Sequence, residues 1–103
     1  MIIAVDFDGT LCSDRFPEIG IPNFRMIDFL RYTQRENKDK IILWTCRNGK
    51  QLEEAVRWCK KVGKLEFDAV NENLPEIREK WGGDTRKVYA DIYIDDKMKM
   101  PVW

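Results

Sequence analysis

Residues 2–10 read IIAVDFDGT, and the interpretation of the whole chain depends on this stretch. Its first four residues are apolar and three of them are β-branched, which is typical of a short strand buried on both faces. The strand runs into Asp6 and Asp8, whose carboxylates repel each other at a sheet rim unless a cation joins them. A strand followed by an Asp-Gly turn is the structural alternative. A calcium loop of the EF-hand type does not fit, because its glycine is sixth and follows a helix, whereas Gly9 is fourth and follows a strand.

The composition limits the class of protein. A chain of 103 residues is long enough for one domain, 1–103, with a single core. Eighteen basic and eighteen acidic residues cancel, so no overall field draws the chain towards nucleic acid or an anionic membrane. We find neither an apolar run of membrane-spanning length nor a signal peptide, and we therefore expect a cytoplasmic protein without a membrane partner.

Cysteine and histidine usage limits the chemistry. Cys12, Cys46 and Cys59 are an odd number without metal-like spacing, and we expect reduced thiols. The chain has no histidine, which excludes Ser-His and Cys-His nucleophile pairs and the usual zinc sites. Acid–base chemistry must therefore rest on carboxylates, lysine, tyrosine or cysteine.

Hydrophobic patterning predicts alternating strands and helices. Further strands are expected at residues 40–45, 67–70 and 89–94. We predict helices at residues 24–36, capped by Asn23, at 49–63, capped by Asn48 with Gln51 and ended by Gly63, and at 75–81. Residues 11–22 are expected to be an irregular flap. The βαβαβαβ order predicts a Rossmann-like parallel sheet in a three-layer α/β/α sandwich with right-handed crossovers.

Polar residues follow three of the four predicted strands. Parallel sheets bind ligands beyond the carboxyl ends of their strands, so these residues are expected to converge there. The third strand ends in Asn71, Glu72 and Asn73, which match no motif that we can name. The converging residues are Asp6 and Asp8, Thr45 and Arg47, and Asp95 and Asp96.

Three segments resemble motifs of the haloacid dehalogenase-like (HAD) superfamily, mostly magnesium-dependent phosphohydrolases and phosphotransferases. DFDGT at 6–10 resembles motif I, IILWT at 41–45 resembles motif II, and IYIDD at 92–96 resembles motif IV. Motif III is a lysine with little surrounding signature; we select Lys87, with Lys80 as the alternative. The resemblance spans the chain from motif I to motif IV and implies the strand order 4-1-2-3.

The resemblance implies roles for the motif residues. Asp6 attacks phosphorus, while Asp8 protonates the leaving oxygen and later deprotonates the water that cleaves the aspartyl phosphate. The lysine pairs with the nucleophile and the phosphate. Thr45 and the backbone amides of Gly9 and Thr10 are phosphate donors.

The resemblance also implies a Mg²⁺ site. Its ligands would be the Asp6 carboxylate, the Asp8 backbone carbonyl and an acid of motif IV. Among the motif IV acids we favour Asp96 as the direct ligand, with Asp95 supporting it.

Arg47 is a further candidate for substrate binding. It lies two residues after Thr45, where family members carry Thr-Gly-Arg or Ser-Gly-Arg, although Cys46 replaces the glycine here. Its guanidinium is expected either to clamp phosphate bidentately or to be a solvated cation at a helix end.

We therefore expect a magnesium-dependent phosphomonoester hydrolase of minimal type, because neither 11–22 nor 71–86 is long enough for a cap domain. An uncapped site favours a bulky phosphorylated substrate, contacting Arg15 and Phe16, over an oligomer whose neighbour acts as the lid. One alternative is a nucleotide phosphatase or polynucleotide 3′-phosphatase, for which the net charge gives no support. The other is a non-catalytic binding or regulatory module with the same fold.

Overall fold

The computed structural model describes residues 1–102, which form six strands and three α-helices. A π-helical segment, Thr33–Asn37, continues the first helix. The elements are β1 (Ile2–Val5), β2 (Cys12–Arg15), β3 (Glu18–Pro22), α1 (Phe24–Tyr32), β4 (Lys40–Leu43), α2 (Gly49–Gly63), β5 (Ala69–Val70), α3 (Pro75–Trp81) and β6 (Ile92–Ile94).

Four of these strands form one parallel sheet in the order β5-β4-β1-β6. Ala4 of β1 pairs with Ile42 of β4 on one side and with Tyr93 of β6 on the other. In the numbering of the four predicted strands this order is 4-1-2-3, so the predicted strand order is confirmed. The sheet places the end of β1 between its neighbours, and the carboxyl ends of all four strands lie at one edge.

Strands β5 and β6 begin later than predicted because an aspartate replaces the ladder before each of them. Strand β4 is also shorter than predicted, because it ends at Leu43 rather than at Thr45. The Asp91 backbone N–H donates to the Ile2 carbonyl at 2.8 Å, and its carboxylate accepts the Ile2 N–H at 2.7 Å. Asp68 binds both backbone groups of Ile41 in the same way, at 2.8 Å each. A side-chain oxygen thus takes the place of a backbone carbonyl.

Alternate residues of the central strands belong to different apolar clusters, as the two-residue period of a strand requires. Ile3 and Val5 pack with residues of α1 and α2, whereas Ala4 packs with Leu74 and Ile77 at α3. The first cluster consists of Ile3, Val5, Phe7, Leu11, Cys12, Ile27, Leu30, Ile41, Leu43, Ala55, Cys59 and Leu65. The second consists of Ala4, Ile42, Ala69, Leu74, Val88 and Ala90.

The helix ends confirm some of the predicted caps and correct others. The Asn23 side chain accepts the Met26 N–H and caps α1 as predicted. The predicted capping box of α2 is wrong, because the Asn48 side chain makes no capping hydrogen bond. Gly63 is the last residue of α2, as predicted, and packs on Ile27. The left-handed conformation that closes the helix belongs to the next residue, Lys64.

The predicted irregular flap is instead an antiparallel hairpin of β2 and β3. Its tip, residues 16–18, contains a cis Phe16–Pro17 peptide bond. The hairpin was missed because its strands carry mostly exposed side chains and therefore lack the apolar alternation of a half-buried strand. It follows β1 directly and so lies beside the site.

The described residues have a Cα radius of gyration of 13.6 Å, close to the roughly 13 Å of a folded chain of this length. Among them, no helix has both the length and the apolar character needed to cross a membrane.

Candidate active site

Three carboxylates meet at the carboxyl ends of β1 and β6. Asp6 follows β1, and Asp95 and Asp96 follow β6, its hydrogen-bonded neighbour. One oxygen from each lies within 4.8 Å of the others. Two adjacent parallel strands therefore bring together acids that are about ninety residues apart in the sequence, as predicted from the polar strand ends.

The environment of Asp6 disfavours a negative charge. Burial is the largest cause that raises its pKa, to about 6 from the usual 3.8, and the charges of Asp95, Asp96 and Asp8 act in the same direction. A hydrogen bond from the Phe7 backbone opposes these effects. A cation beside Asp6 would stabilise its ionised form.

Asp96 is bound from two sides. Its backbone N–H donates to the Thr10 hydroxyl at 3.2 Å, and Lys97 Nζ lies 3.3 Å from its Oδ2. Desolvation alone would raise its pKa, but Lys97 and the neighbouring hydrogen bonds together outweigh desolvation and lower it. Its carboxylate also lies against Gly9, which has a φ of +84°.

The backbone amides predicted to bind phosphate are already engaged. The Gly9 N–H donates to the Cys12 carbonyl at 2.9 Å, and the Thr10 N–H donates to the Phe7 carbonyl at 3.1 Å. We correct that prediction: these amides close the turn after β1 and connect it to the hairpin. Thr10 instead contributes its hydroxyl, which is buried and supports Asp96.

Thr45 lies beside Asp6 as predicted. Both residues line a pocket of about 250 Å³, together with Trp44, Cys46 and Asp95. The Thr45 hydroxyl oxygen accepts a hydrogen bond from the backbone N–H of Arg47 at 3.1 Å, which leaves the hydroxyl proton available for a ligand. Asp95, rather than Asp96, faces this pocket.

Asn71 shapes the turn after β4 and was not assigned a role from the sequence. Its side-chain oxygen accepts the Thr45 N–H at 2.8 Å, and its amide donates to the Arg47 carbonyl at 3.4 Å. Asn71 itself has a φ of +53°, a conformation that asparagine tolerates better than most residues. Its position after a predicted strand was the only sequence signal for it.

Asp8 and Arg47 bind each other rather than facing the other acids. Arg47 Nε and Nη2 donate to the two Asp8 carboxylate oxygens, each at 2.8 Å. This pair raises the pKa of Arg47 against the effect of its burial. Arg47 is only 2% exposed, so it is neither the phosphate clamp nor the solvated cation that the sequence suggested. The Asp8 carboxylate is correspondingly outside the group of three acids.

The structure places Lys87 in a different pocket from Asp6. Its ammonium lies 5.2 Å from the centre of the Tyr93 ring, and it lines a pocket of about 220 Å³ beside Trp81 and Tyr89. Tyr93 contacts Trp44 of the Asp6 pocket, with ring centres 5.6 Å apart. Lys80 is exposed near the end of α3.

All three cysteines are free thiols, as expected. Burial raises the pKa of Cys12 and raises that of Cys59 to about 12, which keeps both protonated. Cys46 is exposed at the rim of the Asp6 pocket.

The chain is similar in sequence and fold to a solved structure. That structure, described as the conserved protein coded by a locus of Bacteroides thetaiotaomicron, is 42% identical in sequence with a TM-score of 0.83. The alignment covers 100% of the present chain and 83% of that chain. No protein-family model matches the sequence. No curated protein matches it.

Proposed function

We propose a function for this chain from the site itself, because the Bacteroides thetaiotaomicron protein, to whose family this chain belongs, is described only as conserved. The present chain is a magnesium-dependent phosphomonoester hydrolase that works through an aspartyl phosphate on Asp6. We further propose that its core has the three-layer arrangement of the HAD superfamily. The motif resemblance and the geometry of the strand ends together support this assignment.

The observation that carries the proposal is the meeting of Asp6, Asp95 and Asp96 within 4.8 Å. Three carboxylates this close repel one another, and the pKa of Asp6 raised to about 6 reflects both burial and that repulsion. Carboxylate oxygens are the ligands that Mg²⁺ prefers, so the donor set fits this cation. When bound by these three residues, magnesium would neutralise negative charge on the transferring phosphoryl group.

Asp6 is the nucleophile in the proposed reaction. A carboxylate oxygen forms a bond to phosphorus while the bond from phosphorus to the leaving oxygen breaks, which yields the aspartyl phosphate and the dephosphorylated product. Water then attacks the aspartyl phosphate, releases inorganic phosphate and restores Asp6. The same pocket holds Thr45, whose hydroxyl proton is available to a phosphoryl oxygen.

Asp8 is the acid and base of the proposed reaction. One Asp8 oxygen exchanges its hydrogen bond with Arg47 for a proton, which it donates to the leaving oxygen in the first step, while the other oxygen keeps its bond to Arg47. In the second step Asp8 accepts a proton from the attacking water. Its carboxylate is held by Arg47 on the hairpin side of β1. Lys87 is proposed to reach the phosphate from the far side of Tyr93 by reorienting its long, exposed side chain.

One observation favours a second candidate, a binding or regulatory module of the same fold without turnover. Both oxygens of Asp8 accept hydrogen bonds from Arg47, and the amides of Gly9 and Thr10 are bound within the protein. With these groups already hydrogen-bonded, the site would bind a ligand without transferring a proton to it. It differs from the hydrolase in a simple respect, because ligand binding would then release no phosphate.

A screen of phosphate esters with and without Mg²⁺ distinguishes the two candidates. Its substrates include small aryl phosphates, phosphorylated peptides, nucleotides and oligonucleotides with a 3′-phosphate. A hydrolase releases inorganic phosphate from at least one ester only with the metal, and Asp6→Asn abolishes the release while the circular dichroism spectrum is retained. Binding of esters without any release would establish the module instead.

A further inference from the structure

Arg47 connects the tip of the hairpin to Asp8. Besides its two bonds to Asp8, its Nη1 donates to the Pro17 carbonyl at 3.2 Å and its Nη2 donates to the Glu18 carbonyl at 2.9 Å. The guanidinium carbon also lies 5.1 Å from the centre of the Phe16 ring. All three residues of the tip therefore contact one side chain.

The hydrogen bonds leave Arg47 little capacity for a ligand. A guanidinium has five N–H donors, and Arg47 uses four of them, two to Asp8 and two to the hairpin tip. Arg47 also has an apolar neighbour, because the centre of the Phe7 ring lies 5.0 Å from the guanidinium carbon. Cation–π contacts of this kind stabilise a buried guanidinium.

We propose that Arg47 is a positioning residue that couples the hairpin tip to the orientation of Asp8. The hairpin tip stays docked only while the guanidinium is held by Asp8, and Asp8 keeps its orientation only while the tip is docked. A substrate that contacts the tip therefore influences the carboxylate that exchanges protons with the leaving group. This inference rests on the proposed function for the role of Asp8, but the mechanical link does not.

Arg47→Lys tests the coupling with least disturbance. It retains the positive charge, but an ammonium cannot donate two parallel bonds to a carboxylate and two to the tip. In the hydrolase, Arg47→Lys should lower kcat about tenfold or more, because Asp8 loses its fixed orientation, and should raise KM for substrates that contact the hairpin tip. Arg57→Lys, on the exposed face of α2, is the matched control and should change neither.

A double-mutant cycle distinguishes positioning from a general structural role. If Arg47 acts through Asp8, the variant Asp8→Asn with Arg47→Lys should be no slower than Asp8→Asn alone. Losses that multiply would overturn the proposal. Should Arg47→Lys fail to fold, Phe16→Ala replaces it in the cycle, because Phe16 is 54% exposed and its removal leaves no buried charge unpaired.

Amide hydrogen exchange tests the link without any turnover. Asp8→Asn should speed exchange in residues 12–22, since the arginine then lacks its ionic partner, whereas Asp28→Asn on α1 should leave those amides unchanged. Unchanged hairpin exchange in Asp8→Asn would overturn the coupling even in an active enzyme. Faster hairpin exchange in Asp8→Asn, together with a wild type that hydrolyses none of the esters, would support the link and overturn the proposed hydrolase activity.

Discussion

Gly9 lies directly beneath the carboxylate of Asp96, so closely that a Cβ atom on Gly9 would overlap the Asp96 carboxylate. Gly9 also has a φ of +84°, in the region that favours glycine. The glycine of the DFDGT stretch therefore serves two purposes: it allows the turn after β1, and it leaves room for an acid of the proposed metal site.

Gly9→Ala should affect both stability and metal binding. Alanine at this positive φ should lower the free energy of unfolding by about 1–2 kcal/mol, and displacement of Asp96 by the new Cβ should weaken Mg²⁺ binding. Thermal unfolding and calorimetric titration with Mg²⁺ measure the two effects. Gly82→Ala is the matched control, because Gly82 has a φ of +73° with open space around it. It should show the first effect alone, and equal Mg²⁺ affinity in the two variants would contradict the account.

The metal-free protein should become more stable when Asp6 is made neutral. The folded state binds the Asp6 proton more tightly than the unfolded state, so Asp6 lowers the free energy of unfolding as pH rises from about 4 to about 6. Asp6→Asn should therefore be more stable than the wild type at pH 7.5. The difference should be only about 1 kcal/mol, because solvent screens the charge of this half-buried group. At pH 3.5 the two should be equally stable.

Urea unfolding in a chelator at both pH values measures this difference, with Asp28→Asn as the control for losing an exposed carboxylate. Added Mg²⁺ should reverse the order at pH 7.5, because only the wild type offers a charged ligand at position 6. If the wild type were the more stable protein at pH 7.5 without metal, burial and the neighbouring carboxylates would not destabilise ionised Asp6, which would contradict the account.

The two acids after β6 should contribute unequally to the metal site. The motif pattern favours Asp96 as the direct ligand, but Asp95 lines the pocket with Asp6, whereas Asp96 is shared with Lys97. We therefore expect Asp95→Asn to weaken Mg²⁺ more than Asp96→Asn does, and Ca²⁺ to support activity poorly because its coordination is looser. A Mg²⁺ titration of turnover in both variants decides the order, and the reverse order would make Asp96 the stronger of the two ligands.

The substrate should be large compared with a simple phosphate ester. The hairpin is short, and the Asp6 pocket is only about 250 Å³, so a small ester finds little surface to bind. We expect kcat/KM to be about tenfold or more higher for phosphorylated peptides or oligonucleotides than for aryl phosphates, mainly through KM. A strictly monomeric enzyme that strongly prefers one small metabolite would contradict this expectation.

Much of the fold could be predicted because apolar runs and strand-end residues are local signals. The buried strands β1 and β4 and the alternation of strands with helices predicted the parallel sheet, and the motif resemblance implied its strand order. The beginnings of β5 and β6 could not be predicted, because Asp68 and Asp91 bind partners 27 and 89 residues away. Nothing in the neighbouring sequence indicates such pairing.

The site was predictable to the same extent. The convergence of Asp6, Thr45, Asp95 and Asp96 follows from their positions after parallel strands. The pairing of Arg47 with Asp8 does not, since it depends on a hairpin whose strands have no apolar alternation and on a tip that offers two backbone carbonyls. Sequence indicates which side chains reach an edge of a sheet, but not which of them are already bound to one another.

Detection of the covalent intermediate tests the central claim most directly. The protein is mixed with Mg²⁺ and its best phosphate ester, quenched in acid within the first turnover, digested, and analysed by mass spectrometry. We predict one phosphate on the peptide that contains Asp6, absent when Mg²⁺ is withheld and absent from Asp6→Asn. Phosphate release without any phosphorylated Asp6, or undiminished release by Asp6→Asn, would contradict the assignment of Asp6 as the nucleophile.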